Sequence, residues 1–409
     1  MKDTQLYEQL LGLSKPWSVG QVTIELELNR ITVRVECDPD TYWVDPETGK
    51  DRAHVHGWVD RQWRHLNTCQ LQTFVEARVP RLKYRSGRVE EAHVPWADRF
   101  SRVTRQMEVF VIELMKVARS IKQVAELLEL EWRTINKVIH RSVERGMKRR
   151  REEPLPYVGI DEKCIGHGHQ YASVLSDIGG SRVLDLVPGH KLEDAERLLK
   201  TLSQQQRQGV RAAAMDMWAA YISATGQLLP NADVVHDRFH ISKLLNDAVD
   251  IVRRAEHKQL HARGDDRLKG TKYKWGRHWQ DMRCAEAVEF RALYRAELKT
   301  SRAWALKESF VGFWQYRSQA SARRFFKDWT ARAVRSRLAP MKRVAQTLRK
   351  FADGVLNYTR HRITNATAEG FNSMLKTISA DARGFRNFAN YRDRILFTCG
   401  GLDLLPASA

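Results

Sequence analysis

Three short apolar runs in the middle of the chain each stop at an aspartate: YVGID at Asp161, GVRAAAMD at Asp216 and ADVVHD at Asp237. Such runs, rich in Val, Ile and Ala and bounded by polar residues, read as strands. Between the first two lie QYASVLSDI and SRVLDLV, a hairpin turning across Gly179 and Gly180, and then a helix over residues 192–206. WAAYISATGQLL, closed by Pro230, is a helix between the second and third runs. From about residue 238 to residue 355 the chain is almost wholly helical and rich in Trp and Arg, and a further helix starts at Thr364 and Asn365.

The order is strand, strand, strand, helix, strand, helix, strand, helical insertion, helix. It matches an α/β ribonuclease H-like catalytic domain, a mixed five-stranded sheet in the order 3-2-1-4-5 interrupted by a large all-helical insertion. In that topology the first and fourth strands are neighbours, so Asp161 and Asp216 face each other across one strand spacing of about 5 Å. Glu369, on the helix after the insertion, would close the site. Carboxylates from two strand ends and a facing helix form a donor set for two magnesium ions, with manganese as a substitute. Such a pair activates water or a 3′ hydroxyl and stabilises the leaving oxygen at a phosphodiester. A lone strand-end aspartate is as often a helix cap or turn residue; the joint fit of two positions to one topology carries the assignment. Asp237 belongs to the fifth strand, one further from the first. It is read with His240 (Asp-x-x-His) as an accessory pair bracing the start of the insertion.

With 69 Lys and Arg against 49 Asp and Glu, the formal net charge is +20, which suits a polyanionic partner. Nucleic acid ranks ahead of an anionic membrane, because no stretch of 18 or more apolar residues exists. The five cysteines share no metal-ligand spacing and are odd in number for a disulfide framework. A reducing compartment fits, and the first residues lack a secretory signal pattern. The expected location is the cytoplasm, at the nucleoid when bound to DNA.

Upstream, residues 1–97 read as a small β-rich module: a helix at 6–13, an alternating hairpin at 20–36, a loop at 40–57, then more β-pattern. Residues 98–150 turn helical, and SIKQVAELLELEWRTINKVIHRSV reads as a helix-turn-helix. Arg133, Thr134, Asn136 and Lys137 fall near the outer face of its second helix, where bases and phosphates are contacted. An ordinary helical hairpin is the plainer reading. RGMKRRREEP, residues 145–154, reads as a charged linker. The remaining divisions are a first catalytic part at 151–238, the insertion at 239–355 and a second catalytic part at 356–409. Trp275, Trp279, Trp304, Trp314 and Trp329 in the insertion read mostly as core, with base stacking as the alternative.

At YVGIDEKCIGHGHQY, VRAAAMDMWAAYI, LPNADVVHDRFHISKLLNDAVDIVRR and NATAEGFNSMLKTISADARGFRNFANYRDRILF the chain resembles the ISL-three family of bacterial insertion-sequence transposases. The resemblance implies a DDE transposase with Asp161, Asp216 and Glu369 as metal ligands. It would bind terminal inverted repeats and carry out strand cleavage and strand transfer. It extends to RQWRHLNTCQLQTFVEARVPRLKY, where the family carries a zinc ribbon with Cys-rich knuckles. Here Asp45, Thr48, Tyr84 and Gly87 stand at the ligand positions, so the module is zinc-ribbon-like with its ligands lost and no zinc is expected. Cys37, His54, His56 and Cys69 are too irregularly spaced to substitute. Packing by Trp43, Trp58 and Trp63 would hold the module instead. Arg61 and Arg64 add candidate DNA contacts, and joining two element ends calls for a homodimer or larger assembly. The alternatives are a non-catalytic DNA-binding regulator derived from a transposase and a structure-selective nuclease of the same fold.

Overall fold

A computed structural model describes residues 2–407, apart from Arg119, residues 167–169, Glu297 and Arg386; the side chains of Gly166 and of residues 366–369 are also outside the description. The chain divides into two compact units, Met1–Arg150 with Leu402–Ala409, and Arg151–Gly401.

The first unit opens with α1 (Asp3–Leu10), followed by β1 (Trp17–Glu25), β2 (Arg30–Cys37), β3 (Trp43–Val44), β4 (Arg52–Arg64), β5 (Gln72–Lys83) and β6 (Val89–Glu91). The sheet order is β1-β2-β5-β4-β3, with β6 pairing to β5. The period-2 pattern read from the sequence sets its faces: Ile31, Val33 and Val35 are buried while Arg34 and Glu36 face out. β4 begins at Arg52, inside the stretch expected to be loop, because Arg52 and Ala53 pair with β3 and the ladder to β5 starts at His54, despite the polar composition of this stretch. The aromatic centre also differs from expectation. Trp17 and Trp63 pack edge-on against Trp96, with centroids 5.1 and 5.4 Å away. Trp43 is only half-buried, and Trp58 is exposed beneath the Arg78 guanidinium.

Helices α2 (Arg105–Val117), α3 (Ile121–Leu128) and α4 (Trp132–Arg149) complete this unit. Ser120 caps α3 in a reciprocal box with Gln123, and Glu129 turns the chain at φ 51° before α4. Ile135, Val138, Ile139 and Val143 form the buried stripe of α4. The charge run at 145–154 is not wholly a linker: its first part is the last turn of α4. There Arg145 pairs with Asp98 and Glu108, and Arg149 with Asp403.

β4 is tied to α2 through a buried histidine. His65 Nδ1 lies 2.8 Å from the Thr104 hydroxyl, which caps α2 by accepting from Met107 N. Burial, reinforced by the Arg64 charge, lowers the His65 pKa to about 4.

The second unit contains β7 (Tyr157–Gly166), β8 (Gln170–Asp177), β9 (Arg182–Pro188), α5 (Leu192–Leu199), α6 (Gln204–Gly209), β10 (Ala212–Met215), α7 (Ala219–Leu228) and β11 (Asp233–His236). The sheet order is β11-β10-β7-β8-β9; β7, β8 and β9 are antiparallel neighbours, and β10 and β11 run parallel to β7. β10 is buried throughout, as a strand covered on both faces must be. Ala213 and Met215 pack with the α5 and α7 side chains Leu198, Leu199, Tyr221 and Ala224. Ala212, Ala214 and Val235 join the core of the helical segment. That segment comprises α8 (Arg238–His261), α9 (Lys272–Gly276), α10 (Cys284–Arg295), α11 (Lys299–Phe310), α12 (Gln319–Arg335), α13 (Ala339–Lys350), α14 (Ala352–Leu356) and α15 (Tyr358–His361). Trp275, Trp304, Trp314 and Trp329 are buried in it, whereas Trp279 stays partly exposed. α16 (Ala366–Asp381) and α17 (Phe388–Cys399) follow, and the Arg392 guanidinium on α17 clasps Asp185 on β9 at 2.7 and 3.0 Å. β7 does not stop at Asp161; it continues to Gly166, because the β7–β8 hairpin keeps pairing through Cys164↔Tyr171. Among the described residues no helix is long and apolar enough to cross a membrane.

A depressed folded-state pKa at His65 means that the unfolded chain binds the extra proton between about pH 6.5 and 4. The neutral ring therefore stabilises the first unit fully above that window and loses its contribution as pH falls through it, by up to about 3 kcal/mol. His65→Asn, which keeps an amide near the Nδ1 position, is expected to flatten the fall in unfolding temperature between these pH values. Parallel pH profiles for the two proteins in calorimetry would contradict this.

Candidate active site

Strand register places the three aspartates. β10 pairs with β7 as Ala212↔Tyr157, Ala213↔Val158 and Ala214↔Gly159. Continued for two residues, the same offset sets Asp216 level with Asp161. β10 also pairs with β11 up to Met215↔His236, which sets Asp216 level with Asp237. With neighbouring strands about 4.8 Å apart, Asp161 and Asp216 stand one spacing apart and Asp237 two spacings from Asp161.

The three carboxyls have different partners. Asp161 Oδ1 accepts from Glu162 N at 2.8 Å, and its Oδ2 accepts from Asn372 Nδ2 at 2.5 Å. Asp216 Oδ1 is buried with no hydrogen-bond partner. Burial raises the pKa of both, and the hydrogen bond from Asn372 tempers the rise at Asp161. Asp237 is the N-cap of α8: its Oδ1 accepts from Phe239 N at 3.3 Å, and its Oδ2 lies 3.3 Å from His240 Nδ1. The hydrogen bond to Asp237 raises the His240 pKa, and the charges of Asp216 and Asp161 add to the rise. These contacts favour the protonated form of the His240 ring beside the acids.

α16 docks on β7 by close approach. A Cβ on Gly159 would lie 2.5 Å from Asn365 Oδ1 and 2.6 Å from Ser176 Oγ, so a side chain there would have to displace both groups. One turn and more along the helix, Lys163 Nζ donates to the Asn372 carbonyl at 3.1 Å, while the Asn372 amide holds Asp161. Position 369 lies between these attachments, and the helical period sets it on the same face as 365 and 372. The Glu369 side chain lies outside the described residues. Among the described residues no group of three or more His, Cys, Asp or Glu is arranged to hold a metal ion. Two half-buried carboxyls at one level, one with an orphaned buried oxygen, nevertheless form a donor set suited to a hard divalent cation once a further acid joins them.

Asn372 and His190 escaped the sequence reading. Glu162 Oε2 lies 3.1 Å from His190 Nδ1, and burial raises the Glu162 pKa. Asn372 follows Glu369 at a spacing of three, the one signal that could have singled it out.

In the first unit Arg133 and Lys137 are exposed on α4, and Thr134 and Asn136 are half-buried. Arg61 is exposed but paired with Glu91, its Nε donating to Oε2 at 3.0 Å. Arg64 is not the surface cation expected. It is buried, and its guanidinium donates to Asn67 Oδ1 at 2.5 Å and to the Thr73 carbonyl at 3.4 Å. Its backbone is paired to the segment before α2, with Arg64 N donating to the Arg102 carbonyl at 2.9 Å.

The two turns of the β module are joined by side chains. Arg88 pairs with Asp45 at 3.0 Å and with Glu47, its guanidinium 4.6 Å from the Tyr84 ring centroid. Arg85 reaches Asp51 at 3.7 Å. Asp45 and Tyr84 are buried, and the Thr48 hydroxyl accepts from Asp51 N. With Gly87 carrying no donor, these four positions do not fit a zinc site.

Residues 158–395 match the DDE family of ISL3 transposases, described as "Transposase". Residues 41–86 match the zinc-finger of transposase IS204/IS1001/IS1096/IS1165, and residues 92–143 the helix-turn-helix domain of transposase family ISL3. The chain is 27% identical over 347 residues to the transposase for insertion sequence element IS1001 of Bordetella parapertussis, covering 83% of this chain and 85% of that protein. It is 22% identical over 426 aligned positions to the transposase for insertion sequence element IS1557 of Mycobacterium tuberculosis, covering 95% and 93%.

Asn372→Ala removes the donor that orients Asp161. Affinity for manganese, measured by calorimetry on the full chain, is expected to fall about 10–100-fold with the far-ultraviolet circular dichroism unchanged. Unaltered affinity would show that Asn372 does not support the site.

Proposed function

Because the chain belongs to the ISL3 family of DDE transposases, we propose that its second unit is a ribonuclease H-like catalytic core in which Asp161, Asp216 and Glu369 hold divalent metal. The protein is an insertion-sequence transposase, an enzyme that acts on DNA. One observation carries the site assignment: Asp161 and Asp216 are level on adjacent parallel strands, and α16 is fastened beside them by Asn372 to Asp161 and Lys163. Magnesium, or manganese in its place, would activate the attacking hydroxyl and stabilise the leaving oxygen.

The chain's own groups prepare that chemistry. Asn372 orients Asp161, leaving the orphaned Asp216 oxygen available to a cation. His240, anchored by Asp237, lowers the repulsion among the acids when its ring is protonated. On this reading water and then a freed 3′ hydroxyl attack phosphorus in line at the element ends. In the first unit, α4 lies in the major groove of a terminal inverted repeat. Arg133 and Lys137 contact phosphates or base edges, Thr134 and Asn136 flank them, and Arg61 contributes from β4 if it exchanges Glu91 for phosphate. Two ends require a homodimer or larger assembly, working in the cytoplasm. The functional divisions are the β module at 1–97, the helix-turn-helix at 98–150, catalytic parts at 151–238 and 356–409, and the insertion at 239–355.

The β module works without zinc in this reading, with Arg88 bridging Asp45 and Glu47 in the metal's place. Arg88→Ala is then expected to lower the unfolding temperature of the first unit, while a strong zinc chelator leaves it unchanged. Stoichiometric zinc by elemental analysis, together with unfolding on chelation, would contradict the zinc-free reading.

Asp161→Asn and Asp216→Asn are expected to reduce magnesium-dependent cutting of end-containing DNA by about 10³-fold or more while gel-shift binding persists. Arg133→Ala and Lys137→Ala are expected to weaken binding and to reduce the salt slope by about 0.9 for each phosphate that is no longer neutralised. Aspartate variants that cut like the parent would remove the proposed site.

A further inference from the structure

Beside the acidic site the fold exposes a large ring for which packing gives no use. Trp218 follows Asp216 by two residues, at the junction of β10 and α7, and is 44% exposed. Two residues span at most about 7 Å of chain, so the ring is anchored next to Asp216. Its orientation is fixed: Nε1 donates to the His190 carbonyl at 3.0 Å, and the His190 ring meets it edge-on at 5.6 Å. His190 in turn lies 4.5 Å from the Tyr171 ring and 3.1 Å from the Glu162 carboxylate, beside Asp161. The polar edge of the indole is therefore satisfied and held, while much of its apolar surface is left to solvent. Burial does not account for a tryptophan in that state, but use as a stacking platform does.

Resting on the catalytic reading above, we propose that Trp218 is a nucleobase subsite: an unpaired base next to the phosphate undergoing attack stacks on its exposed face. A base inside a duplex already has both faces covered, so the ring accepts one only after that base has left the stack. Stacking by a π-face is tolerant of base identity, which suits an enzyme that joins fixed ends to varied targets. The His190–Glu162 contact links the platform to the strand carrying Asp161, so occupation of the shelf and positioning of the phosphate are mechanically connected.

The test uses the full chain and duplexes cut from the DNA that flanks its gene, chosen as those that the parent binds in a gel shift. 2-Aminopurine is placed singly at each position flanking the cleavage point, and calcium replaces magnesium. With the parent protein, stacking on Trp218 keeps emission low at one flanking position. Trp218→Ala is expected to raise emission several-fold at that position alone, and Trp218→Phe to stay near the parent. Equal emission from the parent and Trp218→Ala at every position would overturn the subsite. A second arm in magnesium separates the two readings. If the parent cuts the ends but the emission pattern ignores Trp218, the subsite fails and the catalytic reading stands. If emission depends on Trp218 but the parent cuts nothing, the catalytic reading fails and the base-binding shelf stands.

Discussion

The parallel register of β7, β10 and β11 is the constraint on which the site depends. A parallel ladder cannot slip by one residue without turning every side chain to the opposite face. Here Ala212–Met215 is buried on both sides, between the α5–α7 layer and the helical segment. The small side chains of β10 leave little freedom for that slip. Asp216 is thereby fixed level with Asp161 on one side and Asp237 on the other, from pairings made entirely by neighbouring apolar residues. The acids share a level although folding a single carboxyl there is unfavourable, and their raised pKa values record that cost.

The second dependence is on α16. The Asn365 side chain at its start lies close against Gly159, and Lys163 and the amide of Asn372 hold it to β7. Residues more than 200 positions apart are thus brought together across the whole helical segment. The segment is not an appendage: its core includes Ala212, Ala214 and Val235 from the sheet, so it supports the strands that carry the acids. Asp237 takes part differently from Asp161 and Asp216, because the α8 backbone and His240 occupy its oxygens.

Much of this was legible in the sequence where burial controls composition. Strands covered on both faces must be apolar, so YVGI, AAAM and DVVH stood out, and their polar ends marked the site. The hairpin and the helix-turn-helix were legible for the same reason, through period-2 and period-3.6 patterning. Edges were not. The β7 extension through Lys163 and Cys164 and the start of β4 at Arg52 are paired strands made from polar residues, which composition alone reads as loop. Arg64 looked like a surface cation because nothing in its local pattern shows the guanidinium turning inward to Asn67 and the Thr73 carbonyl. Asn372 is an amide on a polar helix face, and nothing local distinguishes it from a solvated one. The Arg88 bridge between the two turns was not legible, since it forms only when both turns meet.

The most direct measurement is electron paramagnetic resonance of manganese bound to the full chain on end DNA. Carboxylates at one level, completed from α16, should yield a spin-coupled pair of ions, and both Asp216→Asn and Glu369→Gln should abolish the coupling. Isolated single-ion signals in the parent, or a coupled pair that survives both substitutions, would contradict a shared metal centre at these residues.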